Sequence, residues 1–395
     1  MRAMTEAALP LRAQAPFLRG WVRGPLWDGA WILSALWLAP LAFVLVRGAT
    51  DPQVDPLDGV YFVLTALFWI GHRVGSVWLA YFTSAYRPLL GSQPIRFVLA
   101  PILIAVATFA LLMPADDALP FTRAQRVIGL VILDYALVTY HFAAQHFGLL
   151  SLYRVRGGTR SAGRLRLLDR LYALGIGGAL VILAEVLAGA VFFQDLWVDP
   201  WLDPAWVASA QAVLRVVGTA LVVVATVGLL AYEFFVGRPS LPRTLYLVGI
   251  ALMVLVALHA KSLFVFVFLW TAQHWITAVG LTTRVARAEP DPGRSWWYRL
   301  WHVVNRRPWL LVLTLALLSV LLLPIMEVEA LGEGGTFYGD RIFGALAELL
   351  RTSTLVPALV ALGFTTAFLH YLLDRATYRL SDPEVRTAAR GLLEP

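Results

Sequence analysis

Five of the seven histidines lie inside long apolar runs, where an ionisable group is costly and usually finds a partner in the protein interior. They are His72, His141, His146, His274 and His370. Neutral imidazole is the commonest metal ligand. The chain has no cysteine, so thiolate metal sites, disulfides and thiol catalysis are excluded. Any metal must be held by histidine, aspartate, glutamate or neutral oxygen. Each of the five precedes the arginine that closes its run (Arg87, Arg154, Arg284 or Arg379) by about two to four helical turns. At about 1.5 Å of rise per residue, all five share a layer about 10 Å deep. This common depth predicts a shared metal site. The alternative for each histidine taken singly is an interhelical hydrogen bond.

The neighbours of these histidines extend the set. Asp134, His141 and Gln145 are spaced to share one helix face, and so are His370 and Asp374, with Thr366 on the same stripe. Asp374 is expected to coordinate the metal or to orient an imidazole by accepting its N–H. His141 and His146 reach one metal only if they straddle its axis, and otherwise one of them lies outside the ligand shell. Arg73, directly after His72, is expected to pair with Asp134 or to bind an anionic group of a substrate. Asp134, Arg73 and Asp374 are therefore the candidate catalytic residues. Gln145 and Gln273 are candidate cofactor-binding residues, since Ala144-Gln145-His146 is echoed by Ala272-Gln273-His274. Glu348 and Arg351 read as a structural pair on one helix. His302 reads as solvated, and His259 and Lys261 read as residues of an outer turn.

The elements that must position these groups are membrane helices. Of the 395 residues, 59% are hydrophobic and only 14% charged, against about 25% in a soluble domain. The apolar residues gather in runs of about 20, long enough to cross a bilayer as helices. They do not alternate as barrel strands do. The runs are 27–47, 57–84, 94–113, 125–152, 168–193, 205–236, 242–258, 262–283, 308–327 and 343–373. Arginine-rich connections alternate with acidic or arginine-free ones. The expected fold is therefore an all-α polytopic bundle of about ten transmembrane helices with both termini cytoplasmic. Residues 1–26 form a basic cytoplasmic segment, 27–375 the bundle and 376–395 a cytoplasmic tail. Within the bundle, 286–307 is polar enough to leave the membrane. Trp296, Trp297, Leu300 and Trp301 beside Arg294, Arg299, Arg306 and Arg307 predict a short amphipathic helix on the cytoplasmic surface.

The net charge of +7 comes from arginines in short loops and sets topology, so nucleic acid is rejected as a partner. The sequence has no Gly-rich phosphate loop, no G-x-S-x-G and no H-E-x-x-H. Gly71-His72, His141-x4-His146, Gln273-His274-Trp275 and His370-Tyr371-x2-Asp374 resemble the pattern of histidine-bearing polytopic bacterial membrane metalloenzymes of the Brp/Blh carotenoid dioxygenase type. More distantly they resemble the membrane fatty acid desaturases and hydroxylases, whose H-x-x-H-H boxes this chain lacks. The resemblance covers four helices and implies a mononuclear site of about four histidines.

The expected function is that of a multi-pass oxidoreductase of the bacterial cytoplasmic (inner) membrane. It would hold non-haem iron, oxidise a lipophilic substrate such as an isoprenoid or acyl lipid, and exchange electrons with a transfer partner. Two alternatives stay open. One is a b-type haem or quinone-linked electron carrier with two axial histidines. The other is a polytopic transporter with a polar midplane site.

Overall fold

The computed structural model describes residues 16–48, 57–158, 163–192, 204–236, 238–259, 263–291, 293, 295–332 and 337–394. Lys261, Arg2, Arg12, Trp197, Trp201, Arg294 and the expected outer connections at 51–55 and 195–203 lie outside those residues. Among the described residues the regular elements are all helical. In chain order they include α1 (Pro25–Trp31), α2 (Ala35–Gly48), α3 (Asp58–Phe82), α4 (Ile95–Leu112), α5 (Arg123–Arg156), α6 (Gly163–Leu187), α7 (Pro204–Val236), α8 (Leu241–His259), α9 (Leu263–Arg287), α10 (Trp296–Asn305), α11 (Pro308–Met326), α12 (Ala345–Thr352), α13 (Val356–Thr377) and α14 (Pro383–Ala388).

Among the described residues, eight helices are long and apolar enough to cross a membrane: α3 to α8, α11 and α13. The α1 and α2 pair, bent by 50°, adds a ninth if taken as one span. Helix α9, which carries His274, is 25 residues long and opens on the apolar run 263–269, ahead of the polar residues Thr271, Gln273 and His274. The surface of α11 suits a lipid environment. Leu311, Leu315, Ser319 and Leu323 are buried along one face, while Leu313, Leu317 and Leu321 are more than half exposed along another. Apolar residues on both faces fit a helix packed on one side and bathed in hydrocarbon on the other. Helices of this length and composition suggest a multi-pass membrane protein.

The chain divides into two compact units. The first comprises residues 1–43 and 142–269, the second 44–141 and 270–395. Sequence analysis treats 27–375 as one bundle, because hydropathy marks spans and says nothing about which spans pack together.

In the first unit the polar core is built on Arg243, which is wholly buried. Its Nε donates to Glu233 Oε1 at 2.5 Å, its Nη2 to Asp169 Oδ1 at 2.7 Å and its Nη1 to the Leu150 carbonyl at 3.0 Å. Arg154 Nη1 takes the other Asp169 oxygen at 2.7 Å. Buried charges persist only when paired in this way. Two arginines that read in sequence as loop markers of topology are therefore ion-paired inside the fold.

In the second unit α13 packs against α3 and α4, and α11 against α3. Leu112, Leu130, Val328, Val360, Ala361, Phe364 and Phe368 form its largest described apolar cluster. Two glycines on one face of α3 let neighbours approach. A Cβ on Gly71 would lie 2.8 Å from the Leu315 carbonyl oxygen, and one on Gly75 would lie 2.9 Å from Thr282 Oγ1. Small residues four apart are a common close-packing device in membranes.

Two boundaries differ from the sequence reading. The run 343–373 is broken: α12 ends at Thr352, and the spanning helix α13 begins at Val356. Ser353 is in an extended conformation. The reading of Glu348 with Arg351 fails with it, because Arg351 forms a bidentate pair with Asp340, both contacts at 2.7 Å. The segment 376–395, read as a tail, is folded. Asp382 caps α14 by accepting from the backbone N–H groups of Glu384 and Val385, and Val385, Ala389 and Leu392 are buried. The amphipathic segment does form a helix, α10. Trp296 and Leu300 are exposed, while Trp301 packs on Trp78 and Phe82. His302, read as solvated, is bonded to Glu289 at 2.7 Å.

Candidate metal centre

Helix α3 brings His72 into the core just after a π-helical turn, Thr65–Trp69. Such a turn releases backbone groups from the regular ladder and often marks a functional site. Ser319 of α11 takes up the released groups: its hydroxyl accepts from Ile70 N–H at 3.1 Å and reaches the Thr65 carbonyl at 3.5 Å. This places His72 one turn further along, opposite α9 and α13.

Four histidine rings from four helices converge there: His72 on α3, His141 on α5, His274 on α9 and His370 on α13. All four are buried. Ring centroids are 5.0 Å apart for His72 and His274, 4.6 Å for His72 and His370, 4.7 Å for His141 and His274, and 4.8 Å for His141 and His370. The Nε2 atom of His274 is 3.2 Å from that of His141 and 3.5 Å from that of His370. The ligand atoms of His72, His274 and His370 all lie within 4.8 Å of one another. His72 Nδ1 is buried and makes no well-formed hydrogen bond.

Three ring nitrogens meeting at 3.2 and 3.5 Å are poorly served by hydrogen bonding, because a neutral imidazole nitrogen carries either one proton or one lone pair. A cation can accept lone pairs from all of them at once. Two nitrogens bound about 2.05 Å from a tetrahedral ion stand about 3.3 Å apart. The donor set and its spacing therefore fit a metal ion.

Groups around the ring cluster hold it in place. Ser76, one turn after His72, lies with its hydroxyl 3.2 Å from His370 Nδ1, the nitrogen facing away from the other rings. Asp374 Oδ2 is 3.7 Å from His141 Nε2. Asp374 thus meets a histidine on another helix, not only His370 one turn before it. The Tyr371 ring lies 5.1 Å from that of His141, and its hydroxyl donates to Asp134 Oδ1 at 3.1 Å. Trp275 stacks on His72 with centroids 5.8 Å apart.

The structure distributes the sequence candidates unevenly. His72, His141, His274, His370 and Asp374 come together. Arg73 does not pair with Asp134 but with Glu329, at 2.8 Å, while stacking its guanidinium over Trp69. Asp134 takes the Tyr371 hydroxyl. Gln273 turns along its own helix and donates to Thr277 at 3.1 Å. His146 belongs to the first unit, where its Nδ1 is 2.8 Å from the Tyr246 hydroxyl and its ring packs on Gly177. Gln145 lies in that unit too. Five residues at the same depth need not share an azimuth: His146 stands about 140° around the helix from His141. Arg375 reaches Tyr140 and not Asp374. Sequence reasoning did not single out Ser76, Tyr371 or Glu329. Ser76 lies four residues after His72 and so could have been found as a same-face neighbour, whereas Glu329 carries no comparable signal.

No family model matches this sequence, and comparison with characterised proteins and with solved structures also gives no match. The resemblance to membrane carotenoid dioxygenases accordingly rests on the histidine pattern alone.

Proposed function

We propose that the protein is a membrane-embedded oxidoreductase whose metal ion is held by His72, His141, His274 and His370. The observation that carries this reading is the convergence of three imidazole Nε2 atoms at 3.2 and 3.5 Å, with the fourth ring in edge contact. An all-nitrogen set beside one carboxylate, Asp374, suits iron, which would supply dioxygen chemistry there. The chain's own residues have separable parts. Four imidazoles bind the ion. Ser76 fixes the orientation of His370 through its Nδ1, Asp374 stands beside the metal-facing Nε2 of His141 as a further oxygen donor, and the apolar helices exclude bulk water. A site at this depth favours a substrate that partitions into lipid, such as an isoprenoid or acyl lipid. Ring nitrogens this close leave no gap for a porphyrin plane, which favours a bare ion over haem b. The same reading places about ten spans in the bacterial inner membrane, with the arginine-rich connections and both termini cytoplasmic.

Transport is the second reading. The buried Arg73–Glu329 pair close to Asp134 favours it, since intramembrane ion pairs also mark substrate and ion pathways.

Purified protein in lipid vesicles should retain iron without a Soret band. It should consume dioxygen only when an isoprenoid or acyl lipid is supplied. A Soret band would move the assignment to haem. Absence of any bound metal would overturn the enzyme reading and put transport first.

A further inference from the structure

The aromatic rings around the centre form a file, and the file runs in one direction. Trp275 stacks on His72 with centroids 5.8 Å apart and planes 27° apart. Tyr61 in turn stacks on Trp275, again at 5.8 Å and 27°. Tyr338 meets Tyr61 edge-on at 5.9 Å. Three oxidisable rings thus bridge the histidine cluster and the end of the unit where Asp58 and Arg341 stand. Trp275 and Tyr338 are buried. Beyond Tyr338 the environment changes: its hydroxyl donates to Asp58 Oδ1 at 3.3 Å, and Asp58 is paired with Arg341, both partly exposed. Arg341 also lies over the Tyr338 ring, with its guanidinium carbon 5.1 Å from the centroid.

Packing alone asks for apolar bulk here, which phenylalanine or leucine would provide. Indole and phenol are the side chains that can also give up one electron, and each ring in the file touches the next. The phenol at the far end already has a carboxylate positioned to take its proton. The file leads away from the arginine-rich connections, and so, under the proposed topology, towards the outer face.

We propose that Trp275, Tyr61 and Tyr338 form an electron path between the histidine centre and a one-electron reductant at the Asp58–Arg341 end. The proposal rests on the metal reading above and adds to it the route and the face of the electron-transfer partner. The oxidised centre gains one electron, delivered in turn by Trp275, Tyr61 and Tyr338. Tyr338 ends as a neutral phenoxyl radical, and its proton moves to Asp58. An external one-electron reductant such as ferrocyanide returns the electron, and Asp58 returns the proton.

The test uses the full-length, iron-loaded protein in detergent, treated with hydrogen peroxide and frozen for electron paramagnetic resonance. Iron content is measured in every sample. The expected result is a tyrosyl radical that is absent without iron, is lost in Tyr338→Phe and falls at least tenfold in Tyr61→Phe and Trp275→Phe. Tyr61→Trp and Trp275→Tyr, which keep an oxidisable ring, should restore it. Tyr61 touches no histidine, so its variants hold the test even if Trp275→Phe disturbs His72. Added ferrocyanide should quench the wild-type signal. Retained iron with a radical of wild-type yield in Tyr61→Phe would overturn the path and leave the metal reading standing, as would retained iron with no protein radical at all. Failure of the wild type to bind iron would overturn both.

Discussion

At the residue scale the account divides the histidines into a ligating set and a structural one. His141→Ala should lose most of its bound metal, because lipid cannot supply the missing coordination position. His146→Ala should keep its metal, since that imidazole is committed to Tyr246. Ser76→Ala, which removes the orienting partner of His370, and Asp374→Asn, which removes the carboxylate beside His141 Nε2, should each weaken metal affinity about 10- to 100-fold without unfolding the protein. Competition with a chelator of known affinity measures all four variants. Equal affinity in Ser76→Ala and wild type would remove Ser76 from the site. Four of the five histidines were legible in sequence, because depth follows directly from helix rise and the position of the closing arginine. The fifth was misplaced because depth carries no information about azimuth. The partner of Arg73 was missed for a related reason. Asp134 stood at a suitable depth, while Glu329 lies beyond the end of α11, where hydropathy gives no register.

At the scale of elements, the site depends on how closely α3 approaches α11 and α9. Gly71→Ala would put a methyl group 2.8 Å from a backbone oxygen that cannot swing aside. This should cost about 1–3 kcal/mol as overpacking, and should displace His72 enough to weaken metal binding. Gly129→Ala on α5 is the matched control, since nothing lies within 4 Å of its added Cβ. Thermal unfolding in detergent and metal titration of both variants check this. If Gly71→Ala behaves like Gly129→Ala, the close approach does not position the histidine. Most helices were legible as apolar runs, and the ends of α7 and α8 lie within a few residues of the expected spans. The run 343–373 misled because α12 is itself amphipathic and apolar enough to extend the pattern. Ser353, which ends α12, and Pro357, in the first turn of α13, are weak punctuation in an apolar run. The folding of 376–395 was illegible because its burial depends on Arg284 and Ala288, which crowd Gly391 from a distant part of the chain.

At the scale of the whole molecule, hydropathy and arginine placement gave a multi-pass helical protein but not its division into two units. Arg243→Met should destabilise the first unit by about 3–5 kcal/mol, because it strands Glu233 as a buried charge and leaves Asp169 to Arg154 alone. A change in unfolding temperature no larger than that of a surface substitution would contradict the ion-pair core. Reporter fusions after about residues 90, 160, 240 and 290 should report cytoplasm, and fusions after about 52, 117, 200 and 333 the opposite side. Two reversed sites would break the topology. The central claim is that one metal ion is shared by histidines from four helices. It is tested most directly by elemental analysis of purified wild type beside His274→Ala, the histidine whose Nε2 meets two others. The account predicts about one metal ion per chain in wild type and almost none in a folded His274→Ala protein. Undiminished metal in that variant, or none in wild type, would contradict it.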